Sequence, residues 1–243
     1  MIPVDSLLYK IDQKLNKLST NIHQQINLED KILALNENQI RLIKQKVDGF
    51  SVVSGMGLDA FKKRYEDLQS LVITYNHQPL ELKIKNPELN QWFAKLHELV
   101  PKYMFYLDSY ILADKGKCKD RRIWINRDLA KHGDLQFILN NDHYKPSFEY
   151  QETFNVLSSD EISIFTDGTF IPSKICISYM RYPVYIDKAG YVRLDGTDSF
   201  DQDCELELYL EDELVDLTVQ SLAMYTENSA AVQSAQFRIQ TGE

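Results

Sequence analysis

The chain has 243 residues, of which 44% are hydrophobic, 26% charged and 11% aromatic, the balance of one or two folded domains rather than of a disordered segment. Its net charge of −9 is uneven: residues 1–150 hold 22 basic and 19 acidic side chains, residues 151–243 only 5 basic and 17 acidic, which disfavours a general nucleic-acid surface on the second part. No apolar run approaches the roughly 20 residues of a membrane span, and the opening MIPVDSLLYKID lacks the layout of a secretory leader, so assembly in the cytoplasm with no membrane partner is expected.

Residues 4–26 carry Leu8, Ile11, Leu15, Leu18 and Ile22 at alternating spacings of three and four. This is an apolar seam on a helix, too short for a free-standing coiled coil and in need of a neighbour. Asn27, followed by Glu29 and Asp30, is a helix restart. The second helix, about 28–48, has one stripe at Leu28, Ile32, Leu35 and Leu42 and another at Leu33, Ile40, Ile43 and Val47, covering roughly half its circumference. Such a helix is sandwiched, within this chain or between subunits. The stretch GFSVVSGMG, 49–57, reads as a linker, and Asp59 as the cap of a shorter helix to about Leu68. LVITY, NHQP and LELKI read as a hairpin, and Pro87 as the start of a helix to about Leu99 with Leu89, Trp92, Phe93, Leu96 and Val100 on one face.

From Tyr103 onward β-branched and aromatic residues come in short runs separated by Lys-Gly, Asp-Gly and Ala-Gly turns, the pattern of antiparallel hairpins. Only DLQFILN, 134–140, reads as helical there. Cys204 to Leu208 alternates as a half-buried strand, and a helix follows through Leu210, Leu214, Leu217, Ser221 and Tyr225, with Glu211, Asp212 and Glu213 in its first turn. Its broad apolar arc calls for more than one packing neighbour. The fold expected is α+β: long N-terminal helices and a C-terminal helix flanking a central antiparallel β-sandwich or barrel-like domain. The expected division is a mainly helical 1–101, a β-domain over 102–208 and a C-terminal helix and tail over 209–243.

Little in the sequence points to chemistry. Cys118, Cys176 and Cys204 are odd in number and far apart, and five histidines sit in separate elements without ligand spacing. The loop with Asp195, Asp198, Asp201 and Asp203 departs from the calcium-loop pattern and reads as a solvated turn. No nucleophile elbow, P-loop or dinucleotide fingerprint occurs, so neither an enzyme nor a cofactor is expected. Lys115, Lys117, Lys119, Arg121 and Arg122 form the densest basic cluster. Without aromatics inside it, it reads as a solvated turn before a phosphate site, although it could face an acidic partner such as segment 204–217 of a neighbouring copy, with Glu211, Asp212 and Glu213.

At ADKGKCKDRRIWI, HYKPSFEYQETF, and DCELELYLEDELVDLTV with the closing NSAAVQSAQFRIQ, the chain resembles a family of virion structural proteins from tailed phages of Bacteroidetes, crAss-like phages among them. VDSLLYKIDQKLNKL and LEDKILALNENQIRLIKQKV extend the likeness over most of the chain. The resemblance implies a head-to-tail connector (adaptor) subunit with a helical adaptor core and a β-domain. It further implies a homo-oligomeric ring, commonly twelvefold, seated on the portal protein, meeting other connector or tail proteins and surrounding DNA without reading its sequence. On this reading Leu8, Ile11, Leu15, Leu18, Ile22, Ile40, Ile43 and Val47 face a subunit or partner, and Gln236, Phe237 and Arg238 form a docking tail. Another virion role, capsid-attached or tail-side, stays open, as does an envelope-active enzyme using the Asp195–Asp203 loop.

Overall fold

The computed structural model describes residues 1–18, 26–48, 66–75, 79–127, 132–141, 143–158, 160–193 and 196–225. The fold is mixed α and β, with one large mixed sheet and, among the described residues, four α-helices. The chain forms two compact units, one of residues 1–71 with 183–243 and the other of residues 72–182. The expected boundary at 101/102 therefore falls at 71/72, because the first strands begin at Val72, and residues 183–208 belong with the helices rather than with the sheet.

The first unit is built on α1 (Val4–Leu18), α2 (Leu28–Asp48) and the final described helix, α4 (Glu211–Tyr225). At 15 and 21 residues the two N-terminal helices are of ordinary domain size rather than long, and the helical core is small. Both α1 and α2 pack on α4. Leu7 and Ile11 from α1, Ile32, Leu35, Leu42 and Ile43 from α2, and Leu214, Val215 and Val219 from α4 are all fully buried. A helix enclosed on so many sides must satisfy its polar residues internally. Thr218 donates to the Leu214 carbonyl at 2.8 Å, and Asn38 donates to Ser221 Oγ at 3.0 Å. The expected strand 204–208 is absent. Cys204 and Leu206 are buried as the alternation expected, but Leu208 is 61% exposed, and the one ladder contact is an isolated bridge between Ile2 and Cys204.

The second unit is a nine-stranded sheet: β1 (Val72–Ile73), β2 (Leu80–Glu81), β3 (Lys83–Asn86), β4 (Gln91–Lys95), β5 (Tyr103–Lys115), β6 (Cys118–Arg127), β7 (Glu152–Ser158), β8 (Glu161–Phe165) and β9 (Ile171–Arg181). Its order is β1-β9-β5-β6-β7-β8-β4-β3, with β2 also paired to β9. It is not purely antiparallel as expected, because β6 and β7 run parallel after a crossover that contains α3 (Leu135–Asn140). Residues from distant parts of this order share one core, with Leu80, Ala94, Ile164, Ile111, Ile123 and Ile177 in a single cluster. A smaller cluster lies where Ile138 of α3 covers Phe154, Val156 and Phe165, the two phenylalanine rings being stacked with centroids 5.0 Å apart.

The helix expected over Pro87–Leu99 is instead a turn and strand β4, paired on one side to β3 and on the other to β8. The expected hairpin over 71–84 is likewise absent, since β1 and β2 both pair with β9.

Candidate functional site

The residues chosen from the sequence for an interface separate by burial. Ile11 and Ile43 are fully buried in the chain's own helical core and are not available to a partner. Leu8, Leu15 and Ile40 are half-buried and Val47 is exposed. Ile22, Gln236, Phe237, Arg238, the 49–57 linker, the Asp59 cap and Asp195 lie outside the described residues, as does the Leu18 side chain.

The acidic first turn of α4 is also committed within its own unit. Lys10 pairs with Glu211 and Asp212, both at 2.9 Å, and Lys46 pairs with Glu213 at 2.7 Å. A further pair joins Lys14 to the nearly buried Asp216 at 2.9 Å. The Lys10 hydrogen bond holds the Asp212 carboxyl below the usual carboxylate range. These carboxylates link α1 and α2 to α4 within this chain. Asp201 and Asp203 are used locally too, accepting from the backbone N–H groups of Ala189 and Val4 at 3.0 Å each. Among the described residues no group of three or more His, Cys, Asp or Glu is placed to hold a metal ion.

A site that sequence reasoning missed lies in the segment after β9, where the short β-branched and aromatic runs were expected as strands of antiparallel hairpins. The described residues of 183–203 instead form isolated bridges, Asp187 to Gln202 and Val192 to Asp198, rather than a regular ladder, and are organised by one carboxylate. Asp187 has no solvent exposure. Its Oδ1 accepts from Tyr191 OH at 2.7 Å and from the Lys188 N–H at 2.9 Å. Its Oδ2 accepts from Arg193 Nε at 3.0 Å, Arg193 Nη2 at 2.5 Å and the Phe200 N–H at 3.1 Å. Burial pushes the carboxyl up, but these bonds outweigh it and hold Asp187 below the usual carboxylate range. Burial, followed by the bond to Asp187, raises the Tyr191 phenol well above its ordinary value.

The side chains that Asp187 fixes form the wall of a cavity of about 470 Å³. Arg193 lies over the Phe200 ring at 4.6 Å, with its charge matched from beneath by Asp187. Tyr185 and Val192 continue the wall, and Leu33 with Glu29 and Asp30 closes it from the first turns of α2. Leu33, Val184, Tyr185, Val192 and Phe200 are all more than a third exposed. Glu29 and Asp30 have no basic partner among the described residues. The result is an apolar, aromatic hollow with an acidic rim. The sequence signal for it is a lone aspartate after Tyr185 and Ile186, followed within thirteen positions by tyrosine, arginine and phenylalanine.

In the second unit the basic cluster occupies the tip and flank of the β5–β6 hairpin, turning at Gly116 (φ +58°) and Lys117. It is not free of aromatics, as the linear sequence suggested. Lys115 and Arg121 lie over Phe148 at 5.3 and 4.9 Å, and Arg122 lies over Tyr110 at 4.5 Å and Trp124 at 5.5 Å. Lys115 also pairs with Glu149 at 2.8 Å and Lys119 with Asp114 at 3.2 Å. Lys117 projects at the tip, exposed. At the same end Tyr150 and Ile171 are 81% and 61% exposed, the latter in register with Asp114. Compared with protein-family models and with curated proteins, the sequence matches none.

Proposed function

We propose that the chain is a structural subunit of a tailed-phage head-to-tail connector, part of a homo-oligomeric ring that docks on the portal and joins it to the tail. It acts by contact between proteins rather than by catalysis, is assembled in the host cytoplasm and resides in the virion. The observation that carries this reading is the exposed apolar hollow of the first unit. Five large apolar side chains surround one cavity whose shape is held by a buried carboxylate, and a preorganised apolar surface of this kind suits protein docking. The family resemblance of the segments around Arg121, Phe148 and Glu211 supplies the biological setting. The half-buried Leu8, Leu15 and Ile40 and the exposed Val47 offer further surface to a neighbour. By charge the first unit carries 13 basic and 22 acidic residues and the second 14 of each, so neither is net basic, and DNA passing through such a ring slides rather than being retained.

Sedimentation velocity of the purified chain with the portal protein of the same genome tests the reading. Transfer of the chain into a portal-sized complex is the expected result. A chain that sediments independently of the portal overturns the portal-docking role and moves it to the capsid or further down the tail.

A further inference from the structure

Two surfaces of the molecule are complementary in both charge and hydrophobicity. One is the acidic-rimmed apolar hollow of the first unit, which exposes Tyr185, Val192 and Phe200 beneath Glu29 and Asp30. The other is the β5–β6 hairpin end of the second unit, which carries the exposed Lys117 and Lys119, Ile171 in register with Asp114, and Tyr150 next to Glu149, which pairs with Lys115. Some charges are matched inside their own unit: the α4 carboxylates are held by Lys10 and Lys46, and Arg193 by Asp187. Glu29, Asp30 and Lys117, at the two surfaces, are among the charges without a partner of opposite sign among the described residues.

We infer that the hollow is a socket for the β5–β6 hairpin of a second copy of this chain, making the contact between copies heterologous, head to tail. Lysine suits such a socket, because its aliphatic stem packs along aromatic walls while its ammonium reaches the rim carboxylates. A two-residue turn at Gly116–Lys117 makes the hairpin tip slender. A heterologous contact generates a closed ring or an open filament according to the rotation between copies. The inference rests on the ring reading above and names the surfaces that would build it.

The test uses the full chain without portal protein, followed by sedimentation velocity over a concentration series at low and high salt. The native chain is expected to self-associate as concentration rises, and less so at 1 M salt, where screening shortens to about 3 Å. Two double variants, Glu29→Lys with Asp30→Lys and Lys117→Glu with Lys119→Glu, should each self-associate about a hundredfold more weakly, because like charges now meet. An equimolar mixture should recover native association, since the reversed socket of one variant then meets the reversed hairpin of the other, and the native socket of the second meets the native hairpin of the first, with opposite charges in both contacts. Should a variant lose the native far-UV spectrum, Val192→Ser and Tyr150→Ser take its place with weakened association expected from both. A native chain that stays monomeric at every concentration overturns the inference, as do reversed variants that associate like the native chain or folded variants whose mixture does not recover. Because no portal is present, loss of this contact leaves portal docking standing, and failure to bind portal leaves this contact standing.

Discussion

Asp187 is the residue whose removal should be felt most sharply in the first unit. Its carboxylate has no solvent exposure and accepts five hydrogen bonds, two of them from Arg193, whose side chain is itself only 25% exposed. Asp187→Ala leaves that guanidinium without its partner, which costs about 3 kcal/mol at the lower end of the range for a broken buried pair. It also strips the Lys188 and Phe200 N–H groups of their acceptor, bringing the total to about 4 kcal/mol. Asp187→Asn is milder. Its carbonyl can still face Arg193, and its amide can donate to a rotated Tyr191 hydroxyl, so the losses are the charge and the Lys188 bond, about 2 kcal/mol. Both tryptophans, Trp92 and Trp124, lie in the second unit, whereas three of the four described helices lie in the first. Urea unfolding at pH 7 followed by helical circular dichroism should therefore report the loss directly. With a slope of about 2 kcal/mol per molar urea, the midpoint falls by about 1 M for Asn and about 2 M for Ala. The folded carboxyl titrates below its unfolded value of about 3.9, so its contribution is complete above that pH and is lost as the pH falls through the folded value. The gap between native and Asn proteins should narrow with acid. A midpoint that does not move at pH 7, or a gap that widens as the pH falls, would refute this account of the loop.

Ile11→Ala, which empties a fully buried position between α1 and α4, should lower the same helical transition by about 3 kcal/mol, and Leu15→Glu, at a half-buried position, by less. If Leu15→Glu proves as costly as Ile11→Ala, Leu15 belongs to the core and not to a surface open to neighbours. Gly168→Ala, at φ +79° with a new Cβ about 3.1 Å from Asn90 Nδ2, should destabilise the second unit by about 1–2 kcal/mol, visible in tryptophan fluorescence because Trp92 follows two residues after Asn90. Tyr75, raised to about 12 by burial and by its bond to Asp108 at 2.8 Å, should appear as a late-titrating tyrosine in an ultraviolet pH titration and vanish in Tyr75→Phe. The stability tied to its neutral phenol is complete below pH 10 and is lost as the pH rises through about 12.

What could be read from the sequence was largely what local patterning decides. The bounds of α2 follow from Asn27, whose carbonyl accepts the first helical bond from Lys31 at 3.2 Å, and from the acidic turn after it. The three carboxylates that open α4 and the Lys-Gly turn between β5 and β6 were equally plain. The misreadings share one cause, which is a partner distant in sequence. Leu89, Trp92, Phe93 and Leu96 fit a helical stripe, but pairing on both edges of β4 made it a strand, and Leu89 is left half exposed. The strands at 72 and 80 look like a hairpin until β9, a hundred residues later, takes both. The basic cluster looked bare because Phe148 comes from the β6–β7 crossover and Tyr110 from the opposite strand. Ile11 and Ile43 were correctly seen to need a neighbour, yet periodicity does not say whether the neighbour belongs to the same chain.

The segment from Pro183 to Glu207 shows why the hollow escaped such reading and why it suits docking. Its backbone makes isolated bridges with itself, Asp187 to Gln202 and Val192 to Asp198, and elsewhere finds side chains where a strand would find another strand. Asn36 of α2 accepts the Ile186 N–H and donates to the Ile186 carbonyl, both at 2.8 Å, imitating a ladder partner. Glu205 takes the Val184 N–H at 2.9 Å, and Ser199 takes those of Gly190 and Tyr191 at 3.0 Å. No two-residue or 3.6-residue period encodes these bonds, so the segment reads as broken strands. Physically they do what a ladder does, satisfying backbone groups, those of Ile186 buried, and fixing conformation. A loop held this way presents Tyr185, Val192 and Phe200 in set positions, so a partner that covers them loses little conformational entropy in ordering the loop. Freeing the segment by loss of Asp187 would remove that advantage before it removed a single contacting side chain, so Asp187→Asn should weaken association of copies even where the unit remains folded.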